Sequence, residues 1–259
     1  MQAIHDYIAK DGFRLRGTSM SRVDAFSDVV FGFALTLIVV SLEVPQTYEE
    51  LHDLVLSFLP FFICFIFLFT AWWAHYRFFR RYGTHDVGTI LINAALLFII
   101  LCYVYPLKFL WFLIFHQVFP QLYNHAPRPG EKVIEVFTAA NQGREMMMVY
   151  GAGFAAVYFA FAALYWNAYR QRLHLRLNEL EKTLTLSYFW DDFAVACVGL
   201  VCILAARLLP LRAAGGAGWF FFLIPVIKTI HGSVSGKHIR AARARTASHE
   251  LTCSPHSHG

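Results

Sequence analysis

The hydrophobic residues of this chain are gathered into six long segments, which are separated by polar connections. A bilayer core of about 30 Å requires roughly 20 mostly apolar residues in a helix. The segments that approach or meet this requirement span residues 26–44, 56–76, 89–115, 146–166, 189–209 and 216–231. The pattern therefore predicts an all-α membrane protein with six transmembrane helices.

The composition agrees with a membrane protein. Of the 259 residues, 58% are hydrophobic and only 15% are charged, whereas soluble domains average about 25% charged residues. The basic residues lie mainly in the connections between apolar segments, which argues against a nucleic-acid partner. Residues 1–25 are polar and contain no apolar signal-peptide core, so we expect the first span to act as its own insertion signal.

Lysine and arginine are distributed unevenly along the chain. If the N-terminus is cytoplasmic, sixteen of these residues lie on the cytoplasmic side and six on the other side. Because basic loops favour the cytoplasm, both termini are predicted to be cytoplasmic, in a multi-pass protein of the cell membrane. Residues 1–232 are predicted to form the six-helix domain, and residues 233–259 a basic, His- and Ser-rich tail without fixed structure. Residues 116–145 form the longest predicted external connection.

Charged residues occupy the start of the first span, where they are expected to pair or to line a cavity. Arg22 also fits a simple cytoplasmic anchor, and Asp24 fits a cap of the helix start. Asp28 lies one turn deeper, so we expect it to have a partner. His75, near the cytoplasmic end of the second span, is the candidate, although a packed structural histidine explains it equally simply. Asn93, in the third span, is expected to hydrogen-bond between helices.

Further along the first span, five residues form one stripe at helical spacing: Val29, Phe33, Thr36, Leu37 and Val40. In a symmetric oligomer this stripe would face a shared axis. A ring of Phe33 side chains would then make a hydrophobic constriction, of the kind that gates by expelling water. Thr36 would offer hydroxyl groups to a partly dehydrated ion. The alternative is that the stripe is an ordinary helix-packing surface.

These residues also carry a resemblance to a known family. It rests on Arg22, Phe26-Ser27-Asp28, Phe31, Thr36-Leu37, Val39, Trp72, His75, Asn93 and Pro106. Together they resemble the signature of the transmembrane protein 175 potassium channel family, over roughly residues 20–110. Phe-Ser-Asp in a first span combined with Trp-x-x-His in a second span is a fairly specific pattern, whereas either motif alone is weak.

The resemblance implies a homotetramer of single six-helix chains, in which the first helices line the pore. It implies a bottleneck at Phe33, further apolar layers at Leu37 and Val40, and a contribution of Thr36 to potassium selectivity. The family usually has Ile or Leu at the bottleneck, so Phe33 departs from the pattern and makes a bulkier ring. It also implies a polar network that holds the pore helix, and its expected members are Arg22, Ser27, Asp28, His75 and Asn93.

The expected function is therefore a potassium-selective or potassium-preferring cation channel, with potassium as the permeant ion and no cofactor. The sequence contains no Thr-Val-Gly-Tyr-Gly filter, so the carbonyl-cage mechanism is excluded. A proton-coupled secondary transporter that uses Asp28 and His75 is the alternative, although we find no internal repeat of the kind common in transporters. No nucleophile elbow, His-Glu-x-x-His, phosphate-binding loop or pair of intramembrane carboxylates is identified, so no enzyme is expected. The histidines and Cys253 of the tail are attributed to an unstructured segment rather than to a metal site.

Overall fold

The computed structural model describes residues 8–9, 11–40, 44–119 and 141–252, and the side chains of Val40 and of some other residues inside these ranges are not described. The described part is helical, apart from an isolated bridge between Ile8 and Arg14. In chain order the helices are α1 (Arg22–Val40), α2 (Tyr48–Tyr82), α3 (Val87–Val118), α4 (Gln142–Arg170), α5 (Glu179–Leu208), a 3-10 helix (Leu211–Phe222) and α6 (Leu223–Thr252). Most of the predicted 116–145 connection lies outside the described residues.

Five of the described helices are long and apolar enough to cross a membrane, and they coincide with predicted spans two to six. Helix α1 is not among the five; it has 19 residues and begins with charged positions, so its crossing of the membrane stays a prediction. The helices extend beyond the predicted apolar cores because polar residues cap their ends. In α2, Thr47 accepts a hydrogen bond from the backbone of Glu50, and Gly83 ends the helix in the left-handed conformation.

The sixth helix differs from the prediction. The sequence pattern predicts a sixth span that ends at residue 231 and a tail, residues 233–259, without fixed structure, whereas α6 continues to Thr252. The 3-10 helix comes directly before α6 and contains most of the Gly- and Phe-rich stretch that precedes Pro225. The extension is a run of alanine and arginine, which are good helix formers, and Ile239 packs against the main hydrophobic core. The polar composition of residues 233–252 is therefore compatible with a helix and does not predict where α6 ends.

The N-terminal segment ties the predicted cytoplasmic ends together. The amides of Arg16 and Gly17 donate to the carbonyls of Arg81 and Arg80, at the end of α2. Gly17 is required there, because a Cβ atom would lie 2.2 Å from the carbonyl oxygen of Phe79. The segment therefore lies directly against the end of α2 and fixes the position from which α1 departs.

A buried carboxylate joins the same segment to α5. Glu181, which is fully buried, forms ion pairs with Arg14 at 3.3 Å and with Arg16 at 2.7 Å. It also completes a capping box with Asn178 at the start of α5. Phe13 is fully buried beneath these charges. The start of α1 is thus linked through residues 13–17 to both α2 and α5.

The start of α3 is fixed to the end of α4. Asp86 caps α3 by accepting from the amide of Thr89, and the Asn167 side chain donates to both of these side chains at 3.3 and 3.0 Å. Partial burial opposes ionisation of Asp86, but hydrogen bonds from Gln171, Thr89 and Asn167 outweigh it and lower the pKa of Asp86 to about 2. These contacts and those of the N-terminal segment bring the starts of α1, α3 and α5 and the ends of α2 and α4 to one end of the bundle. All five are the helix ends predicted to be cytoplasmic. Which side of a membrane that end faces stays a prediction.

The opposite end carries basic residues that hold backbone carbonyls. Lys108 of α3 donates to the carbonyl of Ile38, in the last turn of α1, at 3.0 Å. Arg144 of α4 donates to the carbonyl of Leu209, just after α5, at 2.7 Å. A cation at a helix C-terminus stabilises the free carbonyls there. The main core then joins α1–α5, and a smaller core joins α4, α5 and the 3-10 helix.

Candidate pore helix and its polar network

The helix predicted to line a pore, α1, has two distinct faces. Ser27, Phe31, Ala34 and Ile38 recur at spacings of four, three and four residues, and each is at most 3% exposed. This face packs against α2 and α3. The residue spacing is that of one side of an α-helix, so the buried face fixes the rotation of α1 about its own axis.

A buried hydrogen-bonded chain crosses from α2 through α3 to α1. The Nε2 atom of His75 lies 2.8 Å from the Oδ1 atom of Asn93, and the Asn93 amide donates to the Ser27 hydroxyl at 2.9 Å. Ser27 in turn donates to the carbonyl of Val23. All three polar side chains are at most 2% exposed, and the His75 ring packs between the rings of Phe31 and Phe79. Satisfied polar networks of this kind position helices relative to one another.

The structure brings together three of the five residues predicted for this network, and it changes the role of the other two. The direct contact predicted between Asp28 and His75 is absent among the described residues. Asp28 is exposed and accepts a hydrogen bond from the indole nitrogen of Trp72 at 2.8 Å. Arg22 is also exposed, and within the described part of the chain its side chain makes no hydrogen bond or ion pair.

The physical reason for this difference is the rotation of α1. Adjacent residues on a helix point about 100° apart, so when Ser27 faces α3, Asp28 is turned towards α2 and Trp72. The sequence motif contains Trp72, but its indole N–H was not singled out as a donor. Asp24 lies in the first turn of α1 and is not itself the cap. The Ser21 hydroxyl accepts from the amide of Asp24, and the Asp24 carboxylate accepts from the amide and hydroxyl of Ser21.

The predicted pore stripe lies on the other face of α1. Val29 is 69% exposed and Phe33 is 55% exposed, and Thr36 is exposed as well. Leu37 is half-buried, so it lies at the border between the two faces. The side chain of Val40 lies outside the described residues. Val29, Phe33 and Thr36 thus lie on the side of α1 that the described part of the chain leaves exposed, as do Phe26 at 61% and Val39 at 46% exposure.

The hydroxyl of Thr36 has a defined orientation. It donates to the carbonyl of Phe33 at 2.7 Å, which uses its only proton. A hydroxyl oxygen has two acceptor lone pairs, and those of Thr36 remain on the exposed face. This geometry leaves an oxygen that accepts rather than donates, which suits a cation better than an anion.

Comparison with known proteins places the chain in a family. The model of the endosomal/lysosomal potassium channel TMEM175 family matches residues 22–106. A protein of Marivirga tractuosa named potassium channel is 35% identical over 235 residues, covering 88% of this chain and 92% of the relative. The chain belongs to the TMEM175 family. The family and this relative are ion channels, which are not enzymes.

A solved structure of the same family has the same fold. It is a crystal structure of a variant of the potassium channel MtTMEM175 in complex with a Nanobody-MBP fusion protein. It is 32% identical to this chain, covers 89% of this chain and 99% of its own, and superposes with a TM-score of 0.76. The similarity therefore covers 89% of this chain and extends well beyond the 22–106 segment that the family model matches.

Proposed function

We propose that this TMEM175 family member is a potassium-preferring cation channel of the cell membrane, in which four copies of α1 surround one conduit. Both termini are cytoplasmic in this proposal. The permeant ion is potassium, and the channel requires no cofactor. The support from the family is that the relative from Marivirga tractuosa and the MtTMEM175 protein are both named potassium channels.

The observation that carries the proposal is the division of α1 into two faces. One face is anchored by Ser27 and Phe31, so α1 has a fixed rotation. The opposite face presents Val29, Phe33 and Thr36 away from the chain's own core. Contact with other copies of α1 would cover this face and would place the same three residues around an axis, since homo-oligomers are symmetric.

The chemistry of this face suits a narrow cation path. A ring of Phe33 side chains excludes water when it is closed, which makes it a hydrophobic gate. Thr36 lies about 4.5 Å further along the helix, three residues at 1.5 Å each, and its acceptor lone pairs can replace part of the hydration shell of a cation. Leu37 and Val40 add apolar layers beyond it. Asp28 and Trp72 lie at the entrance of this path.

The transporter alternative is less well supported. It requires Asp28 and His75 to exchange a proton as a pair. Among the described residues, Asp28 is bonded to Trp72, and His75 is bonded to Asn93. A proton-coupled cycle through these two residues would need a rotation of α1 that breaks the buried Asn93–Ser27 hydrogen bond.

Disulfide cross-linking tests the arrangement around the axis. Val29→Cys, on the exposed face, is expected to form covalent dimers of subunits under mild oxidation in membranes. Ala34→Cys, on the buried face of the same helix, is the matched control and should form none. The unmodified chain must be run beside both variants, because it contains native cysteines. Cross-linking that is equal for both positions, or absent for Val29→Cys, would contradict a shared conduit.

Reconstitution tests the transport activity. Purified protein in liposomes should pass potassium down its gradient, whether or not a proton gradient is present. A potassium flux that saturates and follows the imposed proton gradient, without unitary currents in planar bilayers, would favour the transporter instead.

A further inference from the structure

A second group of charged residues lies between α5 and α6, away from α1. Asp191 and Asp192 are adjacent on α5, about 18 Å from its start at 1.5 Å per residue, and thus well inside a candidate membrane span. Charged side chains at such a depth are costly, and they pair or mark a functional site. The residues around each carboxylate show what this pair can bind.

Both carboxylate oxygens of Asp191 contact side chains of α6. The Nζ atom of Lys228 donates to Asp191 Oδ2 at 2.7 Å, and the Nδ1 atom of His231 lies 3.5 Å from Asp191 Oδ1. Lys228 and His231 are three residues apart, so they lie on the same side of α6. The other ring nitrogen of His231 is 3.1 Å from the Ser235 hydroxyl. This set of contacts joins α6 to α5.

Asp192 has no such partner. Within the described part of the chain, no donor is hydrogen-bonded to its carboxylate. The groups that face it are spread over four helices and interact with it through electrostatics: Arg77 on α2, Tyr158 and Tyr165 on α4, Asp191 on α5 and Lys228 on α6. A metal ion is not favoured here, because Lys228 and Arg77 already balance the two carboxylates. No group of metal-binding side chains is found among the described residues either.

Two buried polar atoms beside Asp192 also lack partners. The hydroxyl of Tyr165 and the Nε atom of Arg77 are buried without a hydrogen bond, and the Tyr165 side chain is 1% exposed. Buried polar groups are nearly always paired, with protein or with ordered water. Tyr188, one helical turn before Asp192 on α5, links the two side chains: its ring stacks on that of Tyr165 at 5.3 Å, and the Arg77 guanidinium lies 5.1 Å from its centre. A water between these two donors and the carboxylate would have the two to four polar partners that a buried water requires.

We propose that Asp192, Tyr165 and Arg77 form a hydrated proton-binding site between α2, α4 and α5. Tyr165 and Arg77 hold the bridging water, and Asp192 takes up and releases the proton: its carboxylate becomes a neutral carboxylic acid, and the charge of the group rises by one. Asp191 is instead paired with Lys228. The site is separate from the exposed face of α1, and this inference does not depend on the proposed conduction path.

Infrared difference spectroscopy tests the site directly. The full chain in lipid nanodiscs would be measured in mildly acidic and then mildly alkaline buffer. We expect a carboxylic-acid C=O band in the acidic sample that is lost in Asp192→Asn and retained in Asp191→Asn, its neighbour on the same helix. Absence of the band from the unmodified protein, or its persistence in Asp192→Asn, would overturn the proposal.

A second variant covers the case in which Asp192→Asn does not fold. Tyr165→Phe keeps the buried ring and removes only the hydroxyl, so the bundle should be retained. If the hydroxyl holds a water on Asp192, the C=O band should move to higher frequency, because the protonated carboxyl loses a hydrogen bond. Tyr188→Phe, which alters the ring stacked on Tyr165 at 5.3 Å, is the matched control and should leave the band in place. A band unmoved by Tyr165→Phe would show that no water is shared between the two side chains.

Discussion

The two faces of α1 use the same residue types for opposite purposes. On one face Phe31 and Ser27 are buried, at 3% and 0% exposure, and on the other Phe33 is 55% exposed and Thr36 is open to the surroundings. Aromatic rings and hydroxyl groups are therefore buried in the fold on one side and left exposed on the other, where we propose that they act in transport. The chemistry of a residue does not decide between these roles, whereas its rotation about the helix axis does.

The largest expected effect comes from replacing Phe31 or Phe33, one on each face of α1, with alanine. Phe31→Ala should lower the free energy of unfolding by about 3–5 kcal/mol, the usual cost of emptying a buried aromatic site. Phe33→Ala should leave stability almost unchanged and should raise potassium flux sharply, because the hydrophobic constriction is widened. Thermal unfolding in detergent and potassium flux into liposomes measure the two effects. An equal loss of stability in both variants would mean that the faces are not distinct.

The next effect concerns the buried hydrogen-bonded chain. Asn93→Ala would leave the His75 ring nitrogen and the Ser27 hydroxyl without their partner in an apolar interior. Each unsatisfied group costs about 1–3 kcal/mol, so the loss of stability should be large. Thr70→Ala, which removes an exposed hydroxyl on α2, is the control and should change stability by less than about 0.5 kcal/mol. Thermal unfolding of the two variants is compared side by side. A similar loss of stability in both would rule out a structural role for the buried hydrogen bonds among His75, Asn93 and Ser27.

A smaller effect is expected at the hydrogen bond between Trp72 and Asp28. Trp72→Phe removes the indole donor and should cost about 1 kcal/mol. The adjacent Trp73 is 51% exposed, and Trp73→Phe provides a matched control with the same change in side-chain size. If the bond holds the entrance of the path, only Trp72→Phe should alter the potassium conductance in planar bilayers. Equal conductance in both variants would reduce the contact to a minor structural one.

The smallest expected effect on stability is at Thr36. Thr36→Ala should change the free energy of unfolding by less than about 0.5 kcal/mol, yet it should lower the potassium-to-sodium permeability ratio. A lost interaction of about 0.5–1.4 kcal/mol corresponds to roughly a two- to tenfold change in that ratio. Thr36→Ser, which keeps the hydroxyl, should retain selectivity. Reversal potentials under mixed-ion conditions give the ratio, and an unchanged ratio in Thr36→Ala would remove this residue from the selectivity mechanism.

Several contacts within the candidate site were not predictable from the sequence. Ser27, His75 and Asn93 belong to the five-residue polar network that the resemblance to the family implies. The hydrogen bond from Trp72 to Asp28 was not predicted, since it depends on how far α1 is rotated when Ser27 meets Asn93. The carboxylate pair of Asp191 and Asp192 in the fifth predicted span is missed from the sequence, although both residues stand inside an apolar segment. The partners of Asp191, Lys228 and His231, lie about 40 residues away on a helix whose end is misplaced.

The sequence by itself determined the all-helical fold class and the approximate limits of five spans. It also determined the residues of the first span that deserve attention, because hydrophobic length and helical periodicity are local properties of the chain. The packing of the helices was needed to show which residues of α1 are buried, that Glu181 is bonded to Arg14 and Arg16, and that the buried Tyr165 hydroxyl has no hydrogen-bond partner among the described residues. These facts depend on contacts between residues far apart in the chain, and a local pattern carries no information about which helices meet or how each one is rotated.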